Sequence, residues 1–289
     1  MSWRTVIIES KAKLSYKNDH LVIRAEDVHM VHLSEIAVVL VESTAAVITS
    51  YLISELSNWK IPIIFCDTKH MPISIVMPIY SNYKTSERIS NQVEWDEYKQ
   101  GEAWRQIVKN KILNQALNLQ KINKLESYKT LMEYYDSVQP FDQNSREGAA
   151  AKLYFKEMFG DAFIRHGDCT INVALDYGYT ILLSYVVRSI VSLGYITQLG
   201  INHKNSFNPY NLASDLMEPF RPIVDFFVYE NINREFDSEY KRELVSLMNE
   251  KVNTTLGNYY INNAIQQYVQ SIVGFIEEDR EIMEVYLHN

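Results

Sequence analysis

The window 203–222 reads HKNSFNPYNLASDLMEPFRP and sets one imidazole and two carboxylates close together in an otherwise apolar region. Asp215 and Glu218 are three residues apart, so on a helix they share a face. Two carboxylates side by side repel unless a cation lies between them, which makes a divalent metal the first chemistry to consider. The plainer reading is that carboxylates in a first helical turn are favoured by the helix dipole, by about 0.3–1 kcal/mol, with Asn211 as N-cap. Pro219 ends or kinks such a helix and turns Glu218 relative to the rest of it. Arg221 and Asp225, one turn apart, are expected to pair with each other.

His203 precedes the two carboxylates in a loop that contains Asn205, Asn208 and Pro209, a composition able to fold the imidazole back onto them. Imidazole suits Mn²⁺ as well as Zn²⁺, and carboxylates favour Mg²⁺ and Mn²⁺. A third acidic candidate is Glu147, which with Asn144 makes a capping-box pattern. Behind it, Gly148 and three alanines strip one helical turn of side chains, which permits close approach of another helix or of a bulky ligand such as DNA. The chain has no Walker loop, no G-x-G-x-x-G, no G-x-S-x-G and no H-E-x-x-H. His20, His29, His32 and His70 lack a paired carboxylate pattern and read as structural or surface residues.

These side chains must be positioned by 289 residues, enough for one large domain or two modest ones. With only 9 Gly and 7 Pro, little disorder is expected. Strand-like segments at 3–9, 11–16, 20–24, 28–33, 36–41, 61–65 and 73–76 fill the first part, with a turn at 17–19 and one helix at 44–59 capped by Ser43 or Thr44. Helical periodicity dominates afterwards, over 95–119, 121–135, 144–158, 170–193, 212–228, 238–256 and 259–276. The fold class is therefore α+β by segregation: a small N-terminal β-rich, sandwich-like domain at 1–80, a linker at 81–92, and a larger all-α domain at 93–289.

The net charge of −8 makes the chain acidic overall, although phosphate binding depends on local patches and not on the total. Cys66 and Cys169 stand in apolar contexts without metal or redox spacing, and are expected to be buried thiols in a reducing cytosol. The apolar stretch 177–196 carries Arg188 and three serines and reads as a core helix, not a membrane span. With no signal-peptide pattern at the start, the expected location is cytoplasmic.

Three blocks together resemble a known family: N-S-R-E-G at Glu147, L-D-Y-G-Y-T-I-L-L at 175–183, and 200–225 with its N-L-A-S-D-L-M-E-P-F-R-P-I-V-D core. The chain is similar throughout to the integrase of CRISPR adaptation, the spacer-acquisition enzyme, in the version found in type II systems. Asp176 departs from the family, where Asn is expected, and adds a charge to that helix. The resemblance implies that Glu147, His203 and Glu218 are catalytic metal ligands for Mg²⁺ or Mn²⁺, with Asp215 as a supporting acidic residue and the helical part as the catalytic domain. It implies insertion of short captured duplexes (prespacers) into the leader-end repeat of a CRISPR array, by 3′-hydroxyl transesterification on each strand. The partners it implies are double-stranded DNA, a second copy through the β-rich domain, and a small ferredoxin-like protein in a four-to-two complex. The RNA-guided effector nuclease is a further candidate partner. Arg146, Lys204 and Arg221 are near enough in sequence to be candidates for phosphate contact. The competing functions are a metal-dependent nuclease without an integration role and a non-catalytic DNA-binding scaffold.

Overall fold

The computed structural model describes residues 4–68, 71–76, 78 and 82–287. His70, Trp3 and the expected domain boundary at Tyr80 lie outside the described residues. The chain divides into two compact units, residues 1–85 with 191–194, and residues 86–190 with 195–289.

The first unit holds two four-stranded sheets. One runs β1 (Arg4–Ile8), β5 (Ile36–Val41), β7 (Ile63–Cys66) and β8 (Pro72–Val76). The other runs β4 (Val28–His32), β3 (His20–Arg24), β2 (Lys13–Lys17) and β6 (Val47–Ile48). β5 is paired in parallel on both sides and buried at every position, as its unbroken apolar run Ile-Ala-Val-Val-Leu-Val requires. β2 and β3 form the expected hairpin, and Asn18 and Asp19 supply the two positive φ angles, 47° and 60°, of its two-residue turn. Side chains of both sheets and of α1 (Ser50–Asn58), among them Val6, Leu14, Leu21, Val39, Leu52 and Ile63, meet in one core.

The helix expected at 44–59 begins later than its periodicity suggests. The β-branched pair Val47–Ile48 instead pairs with β2, and Thr49 caps α1 by accepting the Leu52 N–H at 3.3 Å. The segment read as a linker carries α2 (Thr85–Val93).

The second unit is mostly helical: α3 (Glu97–Lys121), α4 (Leu125–Ser137), α5 (Arg146–Phe159), α6 (Thr170–Ser192), α7 (Asn211–Leu216), α8 (Arg221–Glu230), α9 (Ser238–Ser246) and α10 (Ile261–Glu278). It also carries one small sheet, β10 (Gly257–Tyr260), β9 (Lys251–Thr254) and β11 (Val285–Tyr286), where a helix through 256 and then an all-α remainder were expected. The positive φ of 126° at Gly257 turns the chain between β9 and β10. The α+β segregation of strands first and helices after stands. Among the described residues no helix is long and apolar enough to cross a membrane.

α3 is the central helix. Trp104, Ile107, Val108, Ile112 and Leu119 are buried, as the helical periodicity over 95–119 predicts, but so are Asn110, Lys111, Asn114, Gln115 and Asn118. A buried polar side chain must find partners, and three of these asparagines, spaced four apart, form a ladder that does so. Asn110 donates to the Val285 carbonyl at 2.8 Å and accepts the Val285 N–H at 3.0 Å. Asn114 donates to the Pro219 carbonyl at 2.9 Å and accepts the Leu287 N–H at 3.1 Å. Asn118 donates to the Pro222 carbonyl and to the Tyr154 hydroxyl, both at 2.8 Å. One helix therefore grips both the last strand and the segment around Glu218.

Candidate functional site

Glu218 is placed by a break in the helical backbone. Pro219 has no N–H to donate, so the helix of Asn211–Leu216 gives way to one 3₁₀ turn, Glu218–Phe220, before α8 resumes at Arg221. The expected kink is present, and Asn114 and Asn118 hold the carbonyls on its far side. Glu218 comes out buried, with a side chain 4% exposed.

Glu147 arrives from the first turn of α5. Its helix is capped by Asp142 and not by Asn144: Asp142 accepts the Arg146 N–H at 2.8 Å and the Glu147 N–H at 3.0 Å. Asn144 instead donates to the Ser137 carbonyl at 2.7 Å. Phe141, Asp142 and Ser145 all have positive φ, so the entry to α5 is a tightly wound loop. Gly101 on α3 leaves the space that the Phe141 ring fills, since a Cβ there would come within 2.7 Å of it. With the cap supplied from outside, the Glu147 side chain is free for another partner. A Cβ on Gly148 would meet nothing within 4 Å, so helix packing does not account for that small residue.

The partner is Lys111. Its Nζ lies 2.7 Å from Glu147 Oε1 and 2.5 Å from Glu218 Oε2. Arg221 Nε approaches the other Glu218 oxygen at 3.2 Å. Burial opposes charge at both ends of this pair. It is outweighed at Glu218 by Arg221 and then Lys111, which hold the carboxyl below its ordinary range. At Lys111 it is outweighed by Glu218 and then Glu147, which hold the ammonium above its own. The expected Arg221–Asp225 pair does not form. Arg221 turns to Glu218 and stacks on the Tyr179 ring at 4.8 Å, while buried Asp225 accepts the Tyr179 hydroxyl.

His203 is held by Asp215. Its Nδ1 lies 2.5 Å from Asp215 Oδ1, and the same carboxylate accepts the N–H groups of Ile201, Asn202 and His203 at 2.6, 3.1 and 3.2 Å. Gly200 makes this wrap possible, because a Cβ there would sit 2.4 Å from the His203 carbonyl oxygen and 2.8 Å from Asp215. The bond to Asp215 raises the imidazole above its usual value, with the charges of Asp215, Glu218 and Glu147 adding to it. Asp215 is wholly buried, and burial pushes its carboxyl up against the pull of His203 and the backbone amides. Trp104 of α3 meets the imidazole edge to face, with ring centroids 5.7 Å apart. Asn211, expected as the cap of α7, instead lies within the helix and ties it to the preceding loop, donating to the Gln198 and Asn205 carbonyls.

Two subsites result: Glu147 and Glu218 on Lys111, and His203 on Asp215, each sensing the other's charge. Among the described residues no three His, Cys, Asp or Glu side chains are close enough together to hold an ion by themselves. The chemistry of the donors nevertheless fits a hard divalent ion. Lys111 Nζ already places a cation between the two carboxylates. The Nδ1 bond to Asp215 leaves Nε2 of His203 as the nitrogen able to ligate, which is the arrangement by which carboxylates orient metal-binding histidines.

The phosphate-contact candidates separate. Lys204 is exposed. Arg146 is half-buried with its guanidinium 5.2 Å from the Tyr134 ring centroid. Arg221 is committed to Glu218 and Tyr179. Asp176 is half exposed and pairs with Arg165 at 2.5 Å, so its charge does not enter the core. Cys66 is buried, but Cys169, expected to be buried as well, is exposed.

The chain matches the family described as CRISPR associated protein Cas1 over residues 5–260. It is 30% identical over 277 residues to the CRISPR-associated endonuclease Cas1 of Neisseria meningitidis, covering 94% of this chain and 91% of that one. The chain belongs to the Cas1 family. Among solved structures, a casposase bound to integration product superposes with a TM-score of 0.78 at 18% identity, covering 97% of this chain and 92% of the other. The Cas1-like fold also recurs in a Cas6-RT-Cas1–Cas2 complex, with a TM-score of 0.74 at 19% identity, covering 96% of this chain and 35% of that longer one. Family membership agrees with the blocks at Glu147, 175–183 and 200–225. Lys111 belongs to none of those blocks and had no spacing signal of its own.

Proposed function

We propose that this Cas1-family chain is a metal-dependent DNA integrase that inserts prespacers into a CRISPR array by transesterification. One observation carries the reading: Lys111 Nζ lies between Glu147 and Glu218, carboxylates brought from separate elements beside a histidine already oriented by Asp215. Glu147, Glu218 and Nε2 of His203 would hold Mg²⁺ or Mn²⁺. Bound there, the ion supplies a Lewis acid that polarises the scissile phosphate and lowers the pKa of the attacking hydroxyl.

The chain's own residues do the positioning. Asp215 keeps the proton on Nδ1 of His203 and fixes the ring. Arg221 orients the Glu218 carboxylate from the side opposite Lys111. Lys204 is exposed beside His203 for phosphate contact. Each strand transfer is an in-line exchange. The 3′-oxygen of the captured strand bonds to phosphorus as the P–O3′ bond of the target breaks, and the proton of the attacking hydroxyl ends on the released 3′-oxygen. The number of phosphodiesters is conserved and no covalent protein intermediate is needed, which suits a site without an activated Ser, Cys or Tyr nucleophile.

In this reading the chain works as the type II-like version, as a homodimer through the β-rich unit. Its DNA substrates are the prespacer and the leader–repeat, and its companion is a small ferredoxin-like protein in a four-to-two complex. The fold neighbour solved in a complex with Cas2 supports a companion protein.

The test is strand transfer of a labelled prespacer into a supercoiled plasmid bearing the cognate repeat, with the companion protein present. Glu147→Ala and His203→Ala should each abolish joining. Joining that survives both changes would overturn the site assignment. Cleavage without joining by the native protein would replace integration with the nuclease function.

A further inference from the structure

Phe207 is 93% exposed in the loop that begins at His203. A single exposed apolar side chain is ordinary, but this one stands on a loop fixed at several points. Asn205 Oδ1 accepts the Phe207 N–H at 2.9 Å, and the Asn208 N–H donates to the Asn205 carbonyl at 3.1 Å, closing a turn with Phe207 at its third position. Asn208 then accepts the Tyr210 N–H at 2.9 Å and donates to Ser214 Oγ at 3.2 Å. Asn211 holds the Asn205 carbonyl at 2.9 Å, and the Thr197 hydroxyl holds that of Pro209 at 2.7 Å. At the other end, Asp215 accepts the His203 N–H at 3.2 Å. The ring is thus held out into solvent by a loop with little freedom to withdraw it.

Four residues of chain span at most about 14 Å. Phe207 therefore lies within roughly four nucleotides of His203 along a stacked strand, at about 3.4 Å each. The surrounding positions Lys204, Asn205 and Ser206 are exposed and polar. They do not supply the apolar surround that the core of a protein–protein interface needs. An exposed aromatic face beside an exposed cation is instead the combination that holds single-stranded nucleic acid, the ring stacking on a base and the cation meeting the backbone.

We propose that Phe207 is a stacking platform for an unpaired nucleobase of the DNA strand end presented to the site. The proposal rests on the integrase reading and adds to it a residue that holds a base. The ring reads a π-face and not a hydrogen-bond pattern, so it accepts any of the four bases, as an enzyme joining captured DNA of varied sequence requires.

The experiment uses the full chain and a synthetic duplex with single-stranded 3′ ends carrying 2-aminopurine at one of the last four positions. Stacking on Phe207 quenches the probe at one or two of those positions. Phe207→Ala should lose that quenching and bind the duplex roughly tenfold more weakly, whereas Phe207→Trp should keep both. Because the side chain is almost wholly exposed, neither variant should alter the melting temperature. Equal quenching and affinity in Phe207→Ala and the native chain would overturn the proposal. So would a Phe207→Trp variant as impaired as Phe207→Ala, since that marks a shaped protein pocket around the ring. If the native chain fails to join strands but the quenching still depends on Phe207, the integrase reading falls and the stacking site stands.

Discussion

Lys111 Nζ lies 2.5 Å from Glu218 Oε2, and neither side chain has more than a tenth of its surface in water. A buried pair of this kind contributes little net stability when intact, because taking both charges out of water offsets their attraction. Removing one partner is different. Lys111→Met removes the cation between Glu218 and Glu147 and leaves Arg221 alone to offset them from the far side of Glu218, and should destabilise the chain by about 3 kcal/mol in urea unfolding. The loss should be partly recovered when millimolar Mn²⁺ is added. A variant with an unchanged midpoint would show that the carboxylates do not depend on the lysine.

Asp215 acts through His203. Asp215→Asn preserves the shape of the side chain but removes the charge that fixes the imidazole proton on Nδ1. Mn²⁺ affinity by calorimetry should fall roughly 10–100-fold, the usual cost of losing a carboxylate that orients a metal-ligating histidine. Unaltered affinity would remove His203 from the ligand set.

Asp225 gives stability a pH dependence that can be measured. Burial raises its pKa from 3.8 to about 7, against the lowering effects of the Tyr179 hydroxyl bond and of Arg221. Between these values the native chain retains a proton that the unfolded chain has released. Stability therefore falls as pH rises through that window, and the penalty is complete above about 7. It should amount to a few kcal/mol, because each tenfold difference in proton affinity between the folded and unfolded chain is worth about 1.4 kcal/mol. Asp225→Asn should flatten this part of the urea-denaturation profile against pH. A profile equally steep in the variant would assign the slope to another group.

Asp142 caps α5 from outside the helix. Asp142→Ala strips the acceptor from two backbone N–H groups and should cost about 1 kcal/mol, read as a lower melting temperature. Strand transfer should decline further than that loss explains, because the same cap sets where Glu147 leaves the helix.

Much of this architecture was legible in the sequence, and the parts that were not have physical reasons. The β2–β3 hairpin shows because alternation and an Asn-Asp turn are local signals. The kink at Glu218 shows because a proline removes a donor wherever it stands. β9 and β11 are four and two residues long, too short for any period to emerge; β9 reads as the end of a helix, and β11 lies beyond the last expected helix. α1 is expected too early because Val47 falls at helical spacing with Leu52, Ile53 and Leu56 and also suits a sheet edge, and only the pairing of Val47–Ile48 with β2 decides between them. At the site, His203, Asp215 and Glu218 declared themselves by proximity in one window. Lys111 could not, being one of 28 lysines and arginines in the chain and standing far in sequence from that window. Its role exists only once α3, α5 and the kink converge.

The asparagine ladder of α3 gives the last strand and the reactive kink a common footing. Asn114 spends its amide on Pro219 and its oxygen on Leu287, so each bond holds the side-chain plane that the other needs. If residues 285–287 frayed, that amide would be free to rotate and its grip on the carbonyl beside Glu218 would slacken. The end of the chain thereby becomes a remote brace for the acid, able to detune the site without touching it.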